Sequence, residues 1–229
     1  MLRRFLSCLA ALILLAFATA APAQSGRDWS KTVTLGSNGA FILGNPAART
    51  RLVEYMSYTC PHCAHFAAEA TAPLKAGGIR QGTLSIEYRN FVRDPFDLSA
   101  AILARCGGTA HFLANHEALF ANHDAWIKQA QTYAAAQEGK PQRDRAEQIA
   151  DIADKTGLIA LLAKHGLTPA AQRACLADQN ALSQVLNLTA GAWDNKGFNG
   201  TPFFVLNGKP LTEVHDWTRL KPLLPAAGK

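Results

Sequence analysis

Two apolar-rich runs, the second alternating apolar and polar positions, frame the first half of the chain. Residues 51–58, Arg-Leu-Val-Glu-Tyr-Met-Ser-Tyr, and residues 84–91, Leu-Ser-Ile-Glu-Tyr-Arg-Asn-Phe, carry the branched and aromatic side chains that suit a pleated, half-buried surface. Each predicts a strand, and Gln81-Gly82 supplies a turn before the second. Between them the segment from Pro61 to about Ala76 is helix-compatible, with Phe66 and Ala70 spaced to face a core and Pro73 placed to kink or break the helix. Strand, helix, strand is the parallel unit. Upstream, Thr32-Val33-Thr34-Leu35 is long enough only for an accessory strand.

From Asp94 to about Lys196 the pattern becomes helical and alanine-rich. Asp97 is placed to cap the run from Leu98 to Cys106, Asp144 stands near the start of the next helix, and Thr168-Pro169 offers a cap followed by Pro at the first helical position. Gly157 and Gly166 supply stops, and the polar stretch 129–143 reads as a loose connection. Strand character returns over 201–211, where Asn207-Gly208 between apolar runs is a hairpin signal, because a type I′ turn needs positive φ at both central residues. A helix from about Glu213 to Leu224 completes the pattern.

The N-terminus changes where the chain is expected to work. Arg3 and Arg4 precede an apolar run from Phe5 to about Ala18, and Ala21-Pro22-Ala23 gives small residues at a cleavage position. That order predicts a signal peptide over 1–23; the run falls short of the roughly 20 residues of a membrane-spanning helix. An exported, soluble protein is expected. The formal charge of +6 falls further once Arg3 and Arg4 are removed, and the cations are scattered rather than clustered, which argues against nucleic acid as a partner.

Of five cysteines, Cys8 belongs to the export signal, leaving Cys60, Cys63, Cys106 and Cys175. Oxidising surroundings favour pairing, and four cysteines allow three connectivities, of which Cys60–Cys63 with Cys106–Cys175 is the simplest. The stretch Tyr-Thr-Cys-Pro-His-Cys-Ala-His-Phe at 58–66 is the centre of the chemistry. If Cys60 starts a helix, free backbone N–H groups and the helix dipole favour its thiolate, making it the nucleophile. Cys63, one turn on, is the resolving partner. Pro61 suits the first helical turn, and His62 adds a positive or hydrogen-bonding group beside the sulfur. Zinc uses the same spacing, with His62 and His65 as further ligands, but no second cluster accompanies it; His111, His116, His123, His165 and His215 are spaced too irregularly for a site. A purely structural bond is also a poor reading, since so small a loop constrains the unfolded chain little, whereas a Cys106–Cys175 bond closes about 70 residues, worth roughly 4 kcal/mol. Arg89 and Glu87 read as surface or ion-paired residues.

The stretches Val-Glu-Tyr-Met-Ser-Tyr-Thr-Cys-Pro-His-Cys at 53–63 and Gly-Thr-Pro-Phe-Phe-Val-Leu-Asn-Gly-Lys at 200–209, with the helical segment between them, resemble the DsbA family of exported thiol:disulfide oxidoreductases. The resemblance implies an α/β protein, a thioredoxin fold with an inserted all-helical domain: 24–93 as its first part, 94–196 as the insertion, 197–229 as its second part. It implies a cis-Pro202 facing the cysteines, with Thr201 contacting substrate, and Glu54 beneath the site as a proton carrier. It further implies a periplasmic monomer without cofactor, acting on reduced exported proteins and reoxidised by a membrane quinone-linked oxidase of the DsbB type. The alternatives are an isomerase of the DsbC or ScsC kind, against which the short N-terminal region argues, a reductase, since the direction of flow depends on the partner, and a non-catalytic peptide-binding, chaperone-like module.

Overall fold

A computed structural model describes residues 27–141 and 143–225; the expected export signal at 1–23, with Cys8, lies outside the described residues. Among those residues the strands form one six-stranded sheet, ordered β1-β2-β4-β3-β5-β6. Its centre is the expected parallel unit: β3 (Thr50–Met56), α1 (Pro61–Leu74) and β4 (Leu84–Asn90), with Glu54 opposite Tyr88 in the parallel register. The accessory strand β1 (Val33–Leu35) is joined to β4 through β2 (Phe41–Gly44), which pairs antiparallel with both. β2 has no counterpart in the sequence pattern, because Phe41-Ile42-Leu43 is a short unbroken apolar run without alternation.

On the other side β5 (Phe203–Leu206) pairs antiparallel with β3, and a hairpin returns it as β6 (Lys209–Leu211). Asn207 and Gly208 both have positive φ, 50° and 80°, as the hairpin turn demands. Between β4 and β5 the chain is helical: α2 (Pro95–Arg105), α3 (Phe112–Ala121), α4 (His123–Gln137), α5 (Arg145–Lys155), α6 (Leu158–Ala163), α7 (Pro169–Ala177) and α8 (Gln179–Ala190). The fold is therefore a thioredoxin sheet interrupted by helices. Among the described residues, no helix is long and apolar enough to cross a membrane.

Several boundaries differ from the sequence reading for identifiable reasons. The polar stretch 129–143 is helical up to Gln137, since Trp126, Ala130 and Tyr133 form a buried stripe at helical spacing and the polar positions merely face water. α2 is capped by Asp94 rather than Asp97: Pro95 takes the first helical position and the Asp94 carboxylate accepts from the Asp97 N–H at 2.8 Å. Asp144 and Thr168 cap α5 and α7 as read. The last helix is short, α9 (Trp217–Leu220) followed by a tight turn over Lys221–Leu223, because Asp216 fixes its start and Pro222 cannot continue the hydrogen-bond ladder. α1 ends at Leu74, one residue after Pro73, and the chain continues as a wider turn through Ile79.

The core has two main parts. One lies between the sheet and α1, where Leu52, Ile86, Phe204, Phe66, Ala70 and Phe112 meet. The other is built by the inserted helices, and Met56, Tyr58, Cys60 and Cys63 belong to it. The cysteine pair thus sits where the inserted helices meet the thioredoxin sheet.

Candidate active site

The approach to Cys60 is shaped by the start of α2. After β3 ends, the buried Asp97 carboxylate accepts from the backbone N–H groups of Tyr58 (2.8 Å) and Arg93 (3.0 Å). Asp94, while capping α2, accepts from the Thr59 hydroxyl at 2.7 Å, and the Cys60 N–H donates to the Ser57 carbonyl at 3.2 Å. Two carboxylates from the insertion therefore hold the turn that presents the first cysteine. Burial pushes Asp97 up to about 7, against the hydrogen bonds that favour its charge. Neither acid is singled out in the sequence reading as part of the site; Asp-Pro with a second Asp three positions after the first is the capping pattern that marks them.

Cys60 occupies the N-cap of α1 in extended geometry, with Pro61 at the first helical position. Both cysteines are free and buried. Cys60 is pulled down to about 5, first by a hydrogen bond from Cys63, then by the Thr201 side chain and by the backbone N–H groups of Cys63 and His62, which together outweigh its burial. Cys63 moves the other way: burial raises its thiol well above the ordinary range, and the negative charge of Cys60 adds to that. His62 contributes its backbone, not its ring; the side chain is exposed at the helix start. His65 is likewise exposed and lies 3.3 Å from Glu69 one turn on.

Opposite the cysteines, the Thr201–Pro202 peptide is cis, and the Cys60 thiol donates to the Thr201 carbonyl at 3.2 Å. β5 begins immediately afterwards, so the sheet fixes this loop. Glu54 lies on β3 at the parity of Leu52 and Met56, which are core residues, and it is itself 3 % exposed. Burial, followed by the charge of Cys60, raises its carboxyl to about 8. Arg89 and Glu87 form an ion pair at 2.7 Å, and Arg89 also donates to the Tyr55 hydroxyl at 2.7 Å.

Away from this centre, Cys106 and Cys175 are joined, S–S 2.02 Å and Cα–Cα 5.8 Å, tying the end of α2 to α7. His116 is buried among Tyr58, Tyr88, Phe112 and Phe120, its Nδ1 3.0 Å from the Tyr58 hydroxyl, and burial drives it down to about 3, so this histidine is a neutral packing residue. A groove of about 500 Å³ runs from Pro61 past Ala64, His65 and Phe120 to His123 and Asp124. It opens beside the reactive end of α1.

Comparison with known proteins places these features together. A family model described as thioredoxin matches residues 37–226. The crystal structure of a protein-disulfide isomerase from Novosphingobium aromaticivorans superimposes with a TM-score of 0.73 at 35 % identity, over 80 % of this chain and 93 % of that one. Alpha-DsbA1 of Wolbachia pipientis shares the fold at 21 % identity and a TM-score of 0.64, over 82 % and 90 % of the two chains. A Rickettsia bellii protein named as a protein-disulfide oxidoreductase is 30 % identical over 168 residues, 73 % of this chain; the chain spans only 56 % of that relative's length.

Proposed function

This chain belongs to the thioredoxin family, with a DsbA-like fold, and from that premise we propose that it is a periplasmic thiol:disulfide oxidoreductase that donates the Cys60–Cys63 disulfide to reduced exported proteins. The observation that carries this reading is the asymmetry of the two sulfurs, one held as a thiolate at a helix N-terminus and the other kept as a thiol by burial. A substrate thiolate attacks Cys60 of the disulfide. The Cys60–Cys63 bond breaks, its electron pair goes to the Cys63 sulfur, and that sulfur takes a proton, for which Glu54 is the nearby buried acid. A second substrate thiolate then attacks the substrate sulfur of the mixed disulfide. Oxidised substrate leaves, and Cys60 departs as the stabilised thiolate.

Because the reduced form is the one stabilised, the pair is an oxidant: a lower thiol pKa on the leaving sulfur raises the reduction potential, a relation for which the DsbA family's type member is the standard example. Thr201 and cis-Pro202 face Cys60 and form the substrate-contacting edge. Reoxidation removes two electrons and two protons and needs a separate oxidant; a membrane quinone-linked oxidase is the partner that the resemblance to the DsbA family implies. The signal-peptide pattern at 1–23 supports a periplasmic location.

The test is the equilibrium of the Cys60–Cys63 pair in graded glutathione buffers, with a Cys106→Ala/Cys175→Ala variant as control. A potential well above the glutathione couple supports the oxidase. A potential near thioredoxin's assigns a reductase instead. Isomerase activity, which the name of the Novosphingobium relative favours, is separated by assaying recovery of a scrambled-disulfide protein: an isomerase restores it catalytically, and a pure oxidant does not.

A further inference from the structure

The Thr201–Pro202 loop is held at both of its carbonyls. The Thr201 carbonyl meets the Cys60 thiol at 3.2 Å, while the Pro202 carbonyl meets Nδ1 of His215 at 3.1 Å. The other ring nitrogen of His215, Nε2, lies 3.0 Å from the Thr212 carbonyl. Thr212 directly follows β6, so the half-buried ring joins the entrance of β5 to the exit of β6. The same corner is closely packed elsewhere: a Cβ at Gly197, where φ is +80°, would stand 2.4 Å from the Thr212 methyl group.

Both partners of the ring are carbonyl oxygens, which only accept. A neutral imidazole donates to one of them and turns a lone pair toward the other; the charged ring donates to both. On its own segment stand Glu213, Asp216 and Arg219, with Asp216 and Arg219 engaged with each other at the start of α9.

We propose that His215 is the positioning residue of the substrate-facing loop: donating from Nδ1 to the Pro202 carbonyl, it holds Thr201 against the Cys60 sulfur and thereby sets the affinity for a reduced peptide. The affinity part rests on the oxidoreductase reading above. His215 touches neither sulfur. It acts through the loop, and its loss frees Thr201 to move away from Cys60, changing both contacts Thr201 makes with that sulfur: the carbonyl that accepts from the thiol and the side chain that favours the thiolate.

The experiment compares the wild type with His215→Leu and His215→Gln, the second retaining a donor. Thiolate absorbance at 240 nm reports the Cys60 titration in each reduced protein, and oxidation of a reduced two-cysteine peptide gives kcat and KM. For His215→Leu the thiolate midpoint is expected to move from that of the wild type, and KM to rise about 3- to 10-fold with kcat nearly kept, as for loss of one hydrogen bond that serves ground and transition state alike. His215→Gln should fall between. A folded His215→Leu with unchanged midpoint and unchanged KM overturns the proposal. If the wild type oxidises no peptide, the oxidoreductase reading falls, while the thiolate titration still decides the role of His215. Should His215→Leu fail to fold, the ring ¹⁵N spectrum of the wild type decides: a hydrogen on Nδ1 supports the strap, and a bare Nδ1 overturns it.

Discussion

At the scale of single residues, the chemistry reduces to where protons sit. Glu54 is almost wholly buried, and burial together with the charge of Cys60 raises it to about 8, so at neutral pH it is mostly protonated when Cys60 is a thiolate. In the proposed mechanism it gives a proton to Cys63 as the disulfide opens and takes one as it closes. Replacing it by Gln should slow oxidation of the reduced protein by oxidised glutathione about 10²-fold, the usual size of a general acid–base contribution. Rates measured from pH 6 to 9 provide the check: the wild type should show a break near pH 8 that Glu54→Gln lacks. A Glu54→Gln protein that oxidises at the wild-type rate throughout would remove Glu54 from the proton path. The thiol of Cys60 is the second residue-scale test, since absorbance at 240 nm should report a midpoint near 5 rather than the ordinary 9.0.

At the scale of elements, the start of α2 carries two duties. Asp94 caps the helix and also binds the Thr59 hydroxyl, so Asp94→Ala removes a cap and loosens the turn that precedes Cys60. A loss of about 1–2 kcal/mol in denaturant unfolding is expected. The Cys106–Cys175 bond joins α2 to α7 across 69 residues of sequence. Its removal should lower stability by up to about 4 kcal/mol while leaving the Cys60–Cys63 equilibrium nearly unchanged; equal stability would show that the unfolded chain gains nothing from release of the loop. Much of this level is legible in the sequence. The strands at 50–56 and 84–90, the hairpin at Asn207-Gly208 and the caps Asp144 and Thr168 follow from local patterns that tertiary contacts do not contradict. What escapes depends on partners distant in sequence: β2 is a strand because β1 and β4 flank it, and residues 129–137 are helical because Trp126, Ala130 and Tyr133 find a core. The site shows the same division. Cys60 and Cys63 announce themselves by spacing, but the carboxylates of Asp94 and Asp97 that hold their turn lie more than 30 residues away, and His215 meets Pro202 only through the folding of a hairpin.

At the scale of the whole molecule, the redox state and the stability of the fold are one linked equilibrium. The Cys60 thiolate exists only in the reduced protein, where its folded value of about 5 lies below the unfolded 9.0. A depressed acid contributes stability that is complete above the unfolded value and is lost as pH falls through the folded one. The reduced form should therefore be stabilised over the oxidised form at pH 9, progressively less between pH 9 and pH 5, and by nothing from this source below 5. Glu54 has the opposite slope. Its folded value of about 8 lies above the ordinary 4.5, so its contribution is full below about 4.5 and declines as pH rises toward 8, and the part due to the Cys60 charge is absent once the disulfide forms. The two partly cancel in the reduced protein, and Glu54→Gln should steepen the remaining pH dependence. Guanidinium midpoints of the reduced and oxidised forms, measured from about pH 5 to 9, test this directly. A gap that favours the reduced form and widens with pH identifies the Cys60 thiolate as what stabilises the reduced form and supports the proposed oxidase. A gap independent of pH would place the difference between the two forms in packing, and the thiolate would then have no part in the proposed direction of exchange.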